Sequence, residues 1–166
     1  MRNTSRTCTC RVGQSVTSLA AFPTGNGASV RACCVQKGAI VLRCLVVDDD
    51  HDGARSLGDY LGILGADVRV AFSGDEAIEI APEFRPQLVV LDINMPGLNG
   101  FETAERLKRQ AWAHAATFVA HTAASQTLRR VATAAGFHHF LVKGNSVADF
   151  EVIVESLLVG DARQLS

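Results

Sequence analysis

The chain has 166 residues, 48% hydrophobic and 20% charged, enough apolar material for one compact core. Its 16 basic and 17 acidic side chains leave a net charge of −1, which as an average excludes a strongly basic nucleic-acid binder and an acidic tail. No run approaches the roughly 18 consecutive apolar residues of a membrane span, so a soluble protein is expected.

The average hides a split at Cys44. Before it stand Arg2, Arg6, Arg11, Arg31, Lys37 and Arg43 with no acid, a charge of +6, while the remainder holds all 17 acids and ten bases, a charge of −7. Four of the five cysteines, Cys8, Cys10, Cys33 and Cys34, share that leader. The acidic, cysteine-poor body suits a reducing cytoplasm. The leader is rich in Ser, Thr, Gly and Arg and has no apolar period, so residues 1–40 are expected to be a disordered leader or a start placed too early. Polar residues interrupt any secretory core between Val12 and Phe22; a transit peptide fits the composition better, and the cysteine spacing matches no familiar zinc pattern.

Regular patterning begins at Val41 and sets a domain over 41–160, with 161–166 as a tail. Strand-length apolar runs fall at Val41–Val47, Val68–Phe72, Leu88–Leu91, Thr117–His121 and Phe137–Val142. Between and after them, helical spacing carries Ala54, Leu57, Leu61 and Leu64; Ala77, Ile80, Ala81 and Phe84; Phe101, Ala104 and Leu107; Leu128, Val131, Ala132 and Ala135; and Phe150, Ile153, Val154 and Leu157. Ser73 with Glu76 predicts a capping box, Ser146 with Asp149 a weaker start, and Gly65 and Gly136 two helix ends. Gly58 and Gly62, inside the first helix, suggest only close packing. Alternating strands and helices imply a parallel sheet covered on both faces by right-handed crossovers.

In such a sheet the functional crevice lies at the carboxyl ends of the strands. There the first strand delivers Asp48-Asp49-Asp50, the third Asp92, the fourth Thr122 and the fifth Lys143. Clustered carboxylates repel unless a hard divalent cation sits among them, and magnesium, held by one or two carboxylates plus phosphate oxygens, is the natural candidate. A carboxylate is also a nucleophile toward phosphorus, and transfer to it needs a metal, an ammonium and a hydroxyl on the three phosphoryl oxygens. Asp49, Lys143 and Thr122 can fill those roles around Asp92, and the turn-rich loop Asn94-Met95-Pro96-Gly97-Leu98-Asn99-Gly100 offers the Asn94 backbone carbonyl as a further metal ligand. Alone, Asp48–Asp50 would read equally as a solvated loop before a helix N-terminus, Thr122 as a strand-end hydroxyl, Lys143 as a surface base and Phe140 as core. The five histidines, and the Lys108-Arg109 and Arg129-Arg130 pairs, read as structural residues or polar surface.

Four segments together resemble the receiver domain of two-component response regulators: Leu45-Val46-Val47-Asp48-Asp49, Val89 to Gly100 around Asp92, His121-Thr122-Ala123 and Phe140-Leu141-Val142-Lys143. The resemblance covers about residues 42–159. It implies a flavodoxin-like α/β three-layer sandwich, with a five-stranded parallel sheet in the order 2-1-3-4-5 and five helices. It further implies that Asp92 accepts a phosphoryl group from a sensor histidine kinase or histidine phosphotransfer protein. Asp48, Asp49, Asp92 and the Asn94 carbonyl would hold Mg²⁺, Thr122 and Lys143 would bind the phosphoryl group, and Phe140 would be the aromatic switch. Asn94 and Ala124 would help set the phosphate lifetime. One departure is Gly144, where the family usually has Pro after the lysine.

The expectation is a cytoplasmic, single-domain switch, not an enzyme beyond slow self-dephosphorylation, that signals to a downstream protein target through the fourth helix, fifth strand and fifth helix. Direct DNA binding and membrane association are not expected of this acidic domain. The alternatives are a phosphorelay intermediate, or a receiver module acting with a hybrid kinase. An aspartate-nucleophile phosphohydrolase is disfavoured because Asn94 stands where a general acid would be needed.

Overall fold

The computed structural model describes residues 41–123, 126–144 and 147–163. The leader with its four cysteines, Ala124 and the Ser146 cap therefore lie outside the described residues. In chain order the elements are β1 (Arg43–Val47), α1 (His51–Ile63), β2 (Asp67–Ala71), α2 (Gly74–Phe84), β3 (Leu88–Leu91), α3 (Gly100–Lys108), a 3-10 turn (Ala111–Ala115), β4 (Thr117–Thr122), α4 (Gln126–Ala134), β5 (His139–Val142) and α5 (Val147–Arg163). The strands form one parallel sheet in the order β2-β1-β3-β4-β5.

Alternation along the strands builds the three layers. Leu45 and Val47 of β1, Val89 and Leu91 of β3, and Phe118 and Ala120 of β4 meet Ala77 and Ala81 of α2, Ala104 and Leu107 of α3 and Ala132 of α4. The intervening residues Cys44, Val46, Leu88, Val90 and Val119 meet Ala54 and Leu61 of α1 and Phe150, Ile153 and Val154 of α5. Every residue of β3 is buried, as a central strand covered on both faces requires. β2 is an edge strand, with Asp67 and Arg69 exposed. Burial pushes the Cys44 thiol up, which keeps it inert inside the sheet.

The helix ends follow local chemistry. Gly65 and Gly136 stand past α1 and α4 at φ +97° and +76°, the left-handed conformation that glycine adopts without penalty. The Ser73 hydroxyl accepts from the Glu76 N–H, but the Glu76 carboxylate accepts from Phe72 N–H and not from Ser73, so only half of the predicted box forms. A complete box instead joins Asn99 and Glu102 at the start of α3. A Cβ on Gly58 would lie 3.0 Å from Val70 Cγ2, so close packing accounts for that glycine; nothing in the structure explains Gly62. β5 begins at His139, not Phe137, and α5 continues through residues 161–163, which the sequence pattern placed in the tail. Among the described residues no helix is long and apolar enough to cross a membrane.

Candidate functional site

The sheet's own hydrogen bonds run past the strand ends and fix the residues there. Asp48 N–H donates to Ala71 O (3.1 Å), Asp92 N–H to Val47 O (2.8 Å) and Lys143 N–H to Thr122 O (3.1 Å). Asp48 and Asp92 are then held by the same local device. The Asp50 N–H donates to Asp48 Oδ1 at 3.0 Å, and the Asn94 N–H donates to Asp92 Oδ1 at 3.1 Å, each two residues on. This leaves the second oxygen of each carboxylate facing the crevice, where Lys143 Nζ lies 2.7 Å from both Asp48 Oδ2 and Asp92 Oδ2.

Both carboxyls are nearly out of water, at 4% and 6% exposure, yet their acidities shift in opposite directions. Burial raises the Asp48 carboxyl, and hydrogen bonds from Lys143 and the Asp50 N–H recover only part of that, so it stays above its ordinary range. Burial works the same way on Asp92, but hydrogen bonds from Lys143, the Asn94 N–H and Thr122 outweigh it, and its carboxyl sits below the ordinary range. Asp92 is therefore the better-stabilised anion of the pair. For Lys143, burial works to lower the ammonium, while bonds to Asp48 and Asp92 prevail and raise it.

Asp49 is exposed beside this pair. One carboxylate oxygen from each of Asp48, Asp49 and Asp92 can lie within 4.8 Å of the others, an all-oxygen acidic set whose chemistry fits a hard dication. Thr122 is fully buried, and its Oγ1 accepts a hydrogen bond from the Asn94 carboxamide at 3.2 Å. The sequence placed Asn94 as a backbone-carbonyl metal ligand and, by resemblance, as a residue that helps set the phosphate lifetime; the structure adds a side-chain contact to Thr122 that spacing alone does not reveal.

The turn after Asp92 depends on Gly100. A Cβ there would collide with the Asp92 carbonyl oxygen and lie 2.8 Å from Ile93 Cα. The Gly100 N–H donates to Ile93 O, and the Asn99–Glu102 box starts α3 beside the site. The Asn99-x-x-Glu102 spacing was the signal for this support.

The family described as response regulator receiver domain matches residues 44–155. The chain belongs to this receiver-domain family. The receiver matches the transcriptional regulatory protein PrrA of Mycobacterium tuberculosis at 39% identity over 117 residues, 70% of this chain and 49% of PrrA. It matches the nitrate/nitrite response regulator protein NarL of Escherichia coli at 36% over 70 residues, 40% of this chain and 32% of NarL. The chain thus spans about half the length of the PrrA relatives it matches. Among solved structures, the chemotaxis protein CheY4 of Vibrio cholerae superposes with a TM-score of 0.63 and 25% identity, over 71% of this chain and 97% of that one. The N-terminal domain of a Wolinella succinogenes protein shares the fold, with a TM-score of 0.68 and 24% identity over 75% and 99% of the two chains.

The receiver fold brings five of the predicted site residues together at the strand ends: Asp48, Asp49, Asp92, Thr122 and Lys143, with Asn94 against Thr122. Phe140 lies apart from them. It is half-buried on β5, opposite Ala120, and lines a groove of about 440 Å³ between α4, β5 and α5 with Arg129, His139, Asp149 and Val152. Past Lys143 the chain turns at Gly144, whose φ of +94° lies in the region that favours glycine, with open space where a Cβ would stand.

Proposed function

We propose that this receiver takes a phosphoryl group onto Asp92 from a phosphohistidine donor and passes the signal on by protein contacts. The bond from phosphorus to the donor nitrogen breaks as one forms to the crevice-facing oxygen of Asp92, Oδ2, and the nitrogen keeps the electron pair. The observation that carries this reading is the pairing of Asp92 Oδ2 with Lys143 Nζ at 2.7 Å, while Oδ1 is held by the Asn94 N–H. That arrangement keeps Asp92 ionised, aims one oxygen into the crevice and sets an ammonium where a phosphoryl oxygen would arrive.

Asp48, Asp49, Asp92 and the Asn94 backbone carbonyl would hold Mg²⁺, which when bound supplies charge neutralisation at the phosphoryl oxygens. Lys143 then exchanges a carboxylate partner for a phosphoryl oxygen, and the Thr122 hydroxyl, turned by the Asn94 carboxamide, donates to another. Asn94 carries no acidic proton, which favours a stable acceptor over a phosphohydrolase. The new charge cluster biases β5 and its flanking helices, and the groove beside Phe140 presents that change to a downstream protein. The −7 body argues against this domain contacting DNA itself.

Purified chain with Mg²⁺ and a small acyl-phosphate donor is expected to gain one acid-stable, hydroxylamine-labile phosphoryl group, and Asp92→Asn to abolish it. Folded protein that takes up no label from any donor overturns the reading.

A further inference from the structure

Lys108 ends α3, and its sequence context reads as an ordinary polar helix face. The structure places it otherwise. Its ammonium donates to the carbonyls of Ala135 (2.7 Å) and Gly136 (2.6 Å), and lies 4.8 Å from the ring centres of both Phe118 and Phe137. Those carbonyls belong to the closure of α4. Gly136 N–H donates to Thr133 O and Phe137 N–H to Ala132 O, the bond pair that ends a helix on a left-handed glycine. The carbonyls beyond that pair lie at the negative end of the helix dipole, where an ammonium is the matching partner.

The chain then enters β5 without slack. His138 N–H donates to Phe118 O at 2.8 Å, while His138 Nδ1 accepts from the Phe118 N–H at 2.9 Å. Phe101 of α3 packs edge-on against Phe137, 5.9 Å between centroids. α3, α4, β4 and the lead into β5 therefore meet around one ammonium, at the end of the sheet away from the acidic site.

We propose that Lys108 pins the C-terminal end of α4 to α3, so that α4 answers phosphorylation by pivoting about that end; the pivot rests on the acceptor reading above. A half-buried ammonium shared between two carbonyls and two ring faces resists displacement, because each lost contact leaves charge out of water without a partner. A rigid helix fixed at one end converts a pull at the other into rotation. The groove wall then shifts more at Arg129, near the start of α4, than at Thr133, near the pin.

Amide hydrogen exchange on the full chain tests this with Lys108→Met, which keeps an apolar stem, and Lys108→Arg, which keeps the charge. In the unphosphorylated protein, Ala135–His138 are expected to exchange at least tenfold faster in Lys108→Met and within about threefold of wild type in Lys108→Arg, with α1 unchanged in both. On phosphoryl uptake, wild-type protection is expected to change at residues 128–131 and not at 135–138, and in Lys108→Met the change spreads to 135–138. Unaltered exchange at 135–138 in Lys108→Met, or a speed-up shared equally by α1, overturns the pin. Equal change at both ends of α4 in the phosphorylated wild type overturns the pivot. Absence of phosphoryl uptake overturns the acceptor reading and the pivot with it, and the first comparison still decides the pin.

Discussion

Two half-buried lysines stand at opposite ends of the sheet, and they are held by opposite means. At Lys143 burial works to lower the ammonium, but two carboxylates 2.7 Å away win and raise it. At Lys108 the partners are carbonyl oxygens and ring faces, and burial pushes the ammonium below its ordinary range. A carboxylate partner can be replaced by another anion, so Lys143 suits a site whose charge changes. Neutral carbonyls at a helix end offer no such exchange, so Lys108 suits a fixed joint. The same residue type thus fits two different proposed roles, and only the partners tell them apart.

The largest expected effect separates the two lysines by activity. Removing one positioned donor from a charge-developing site costs about a hundredfold or more, so Lys143→Met is expected to slow phosphoryl uptake by at least about that factor. Lys108→Met is expected to leave uptake from a small donor within roughly threefold. Labelling rates for the two variants check this, and equal losses would erase the distinction.

Two glycines sharpen the comparison through stability. Gly100→Ala drives a methyl group into the Asp92 carbonyl and is expected to cost about 2–3 kcal/mol of unfolding free energy. Gly136→Ala, at φ +76° with its Cβ 3.1 Å from Lys108 Nζ, is expected to cost about 1–2 kcal/mol. Denaturant melts measure both, and the order reverses if the α4 joint is the tighter constraint.

A pH effect is expected on the acidic-site side of the sheet. His121 precedes Thr122 and meets Phe150 edge-on at 5.3 Å; burial first, and then the charge of Lys143, lower its imidazole from 6.5 to about 4. The unfolded chain then binds the proton more readily between those values. The stabilisation is full above pH 6.5 and lost as pH falls toward 4, roughly 1–2 kcal/mol once solvent screening is allowed for. Melting temperature against pH for wild type and His121→Gln checks it: the variant should fall less steeply over that window. The smallest effect is at Gly144, where Ala meets no neighbour and the φ of +94° alone is expected to cost about 1 kcal/mol, read from the same melts.

Much of the fold was legible because β1, beyond Arg43, and β3 are buried on both faces and read as near-continuous apolar runs, and because Gly65 and Gly136 stop helices by a local rule. The acidic site was legible because parallel strands must deliver their last residues to one rim, which makes Asp48, Asp92, Thr122 and Lys143 neighbours by topology. What escaped is tertiary. Phe137 reads as strand, yet its N–H closes α4, so β5 starts two residues later. Glu76 reaches past Ser73 to Phe72, and Lys108 is turned inward by groups 27 and 28 residues further on, which no local period encodes.

The central claim is that Asp92, and neither Asp48 nor Asp49, receives the phosphoryl group. Fragment mass spectrometry of the wild-type chain after treatment with a small acyl-phosphate donor, with Mg²⁺ and with Mg²⁺ chelated, tests it most directly. The account predicts one phosphoryl group, on Asp92, formed only with Mg²⁺ present. A phosphoryl group on Asp48 or Asp49, or uptake indifferent to Mg²⁺, would contradict it.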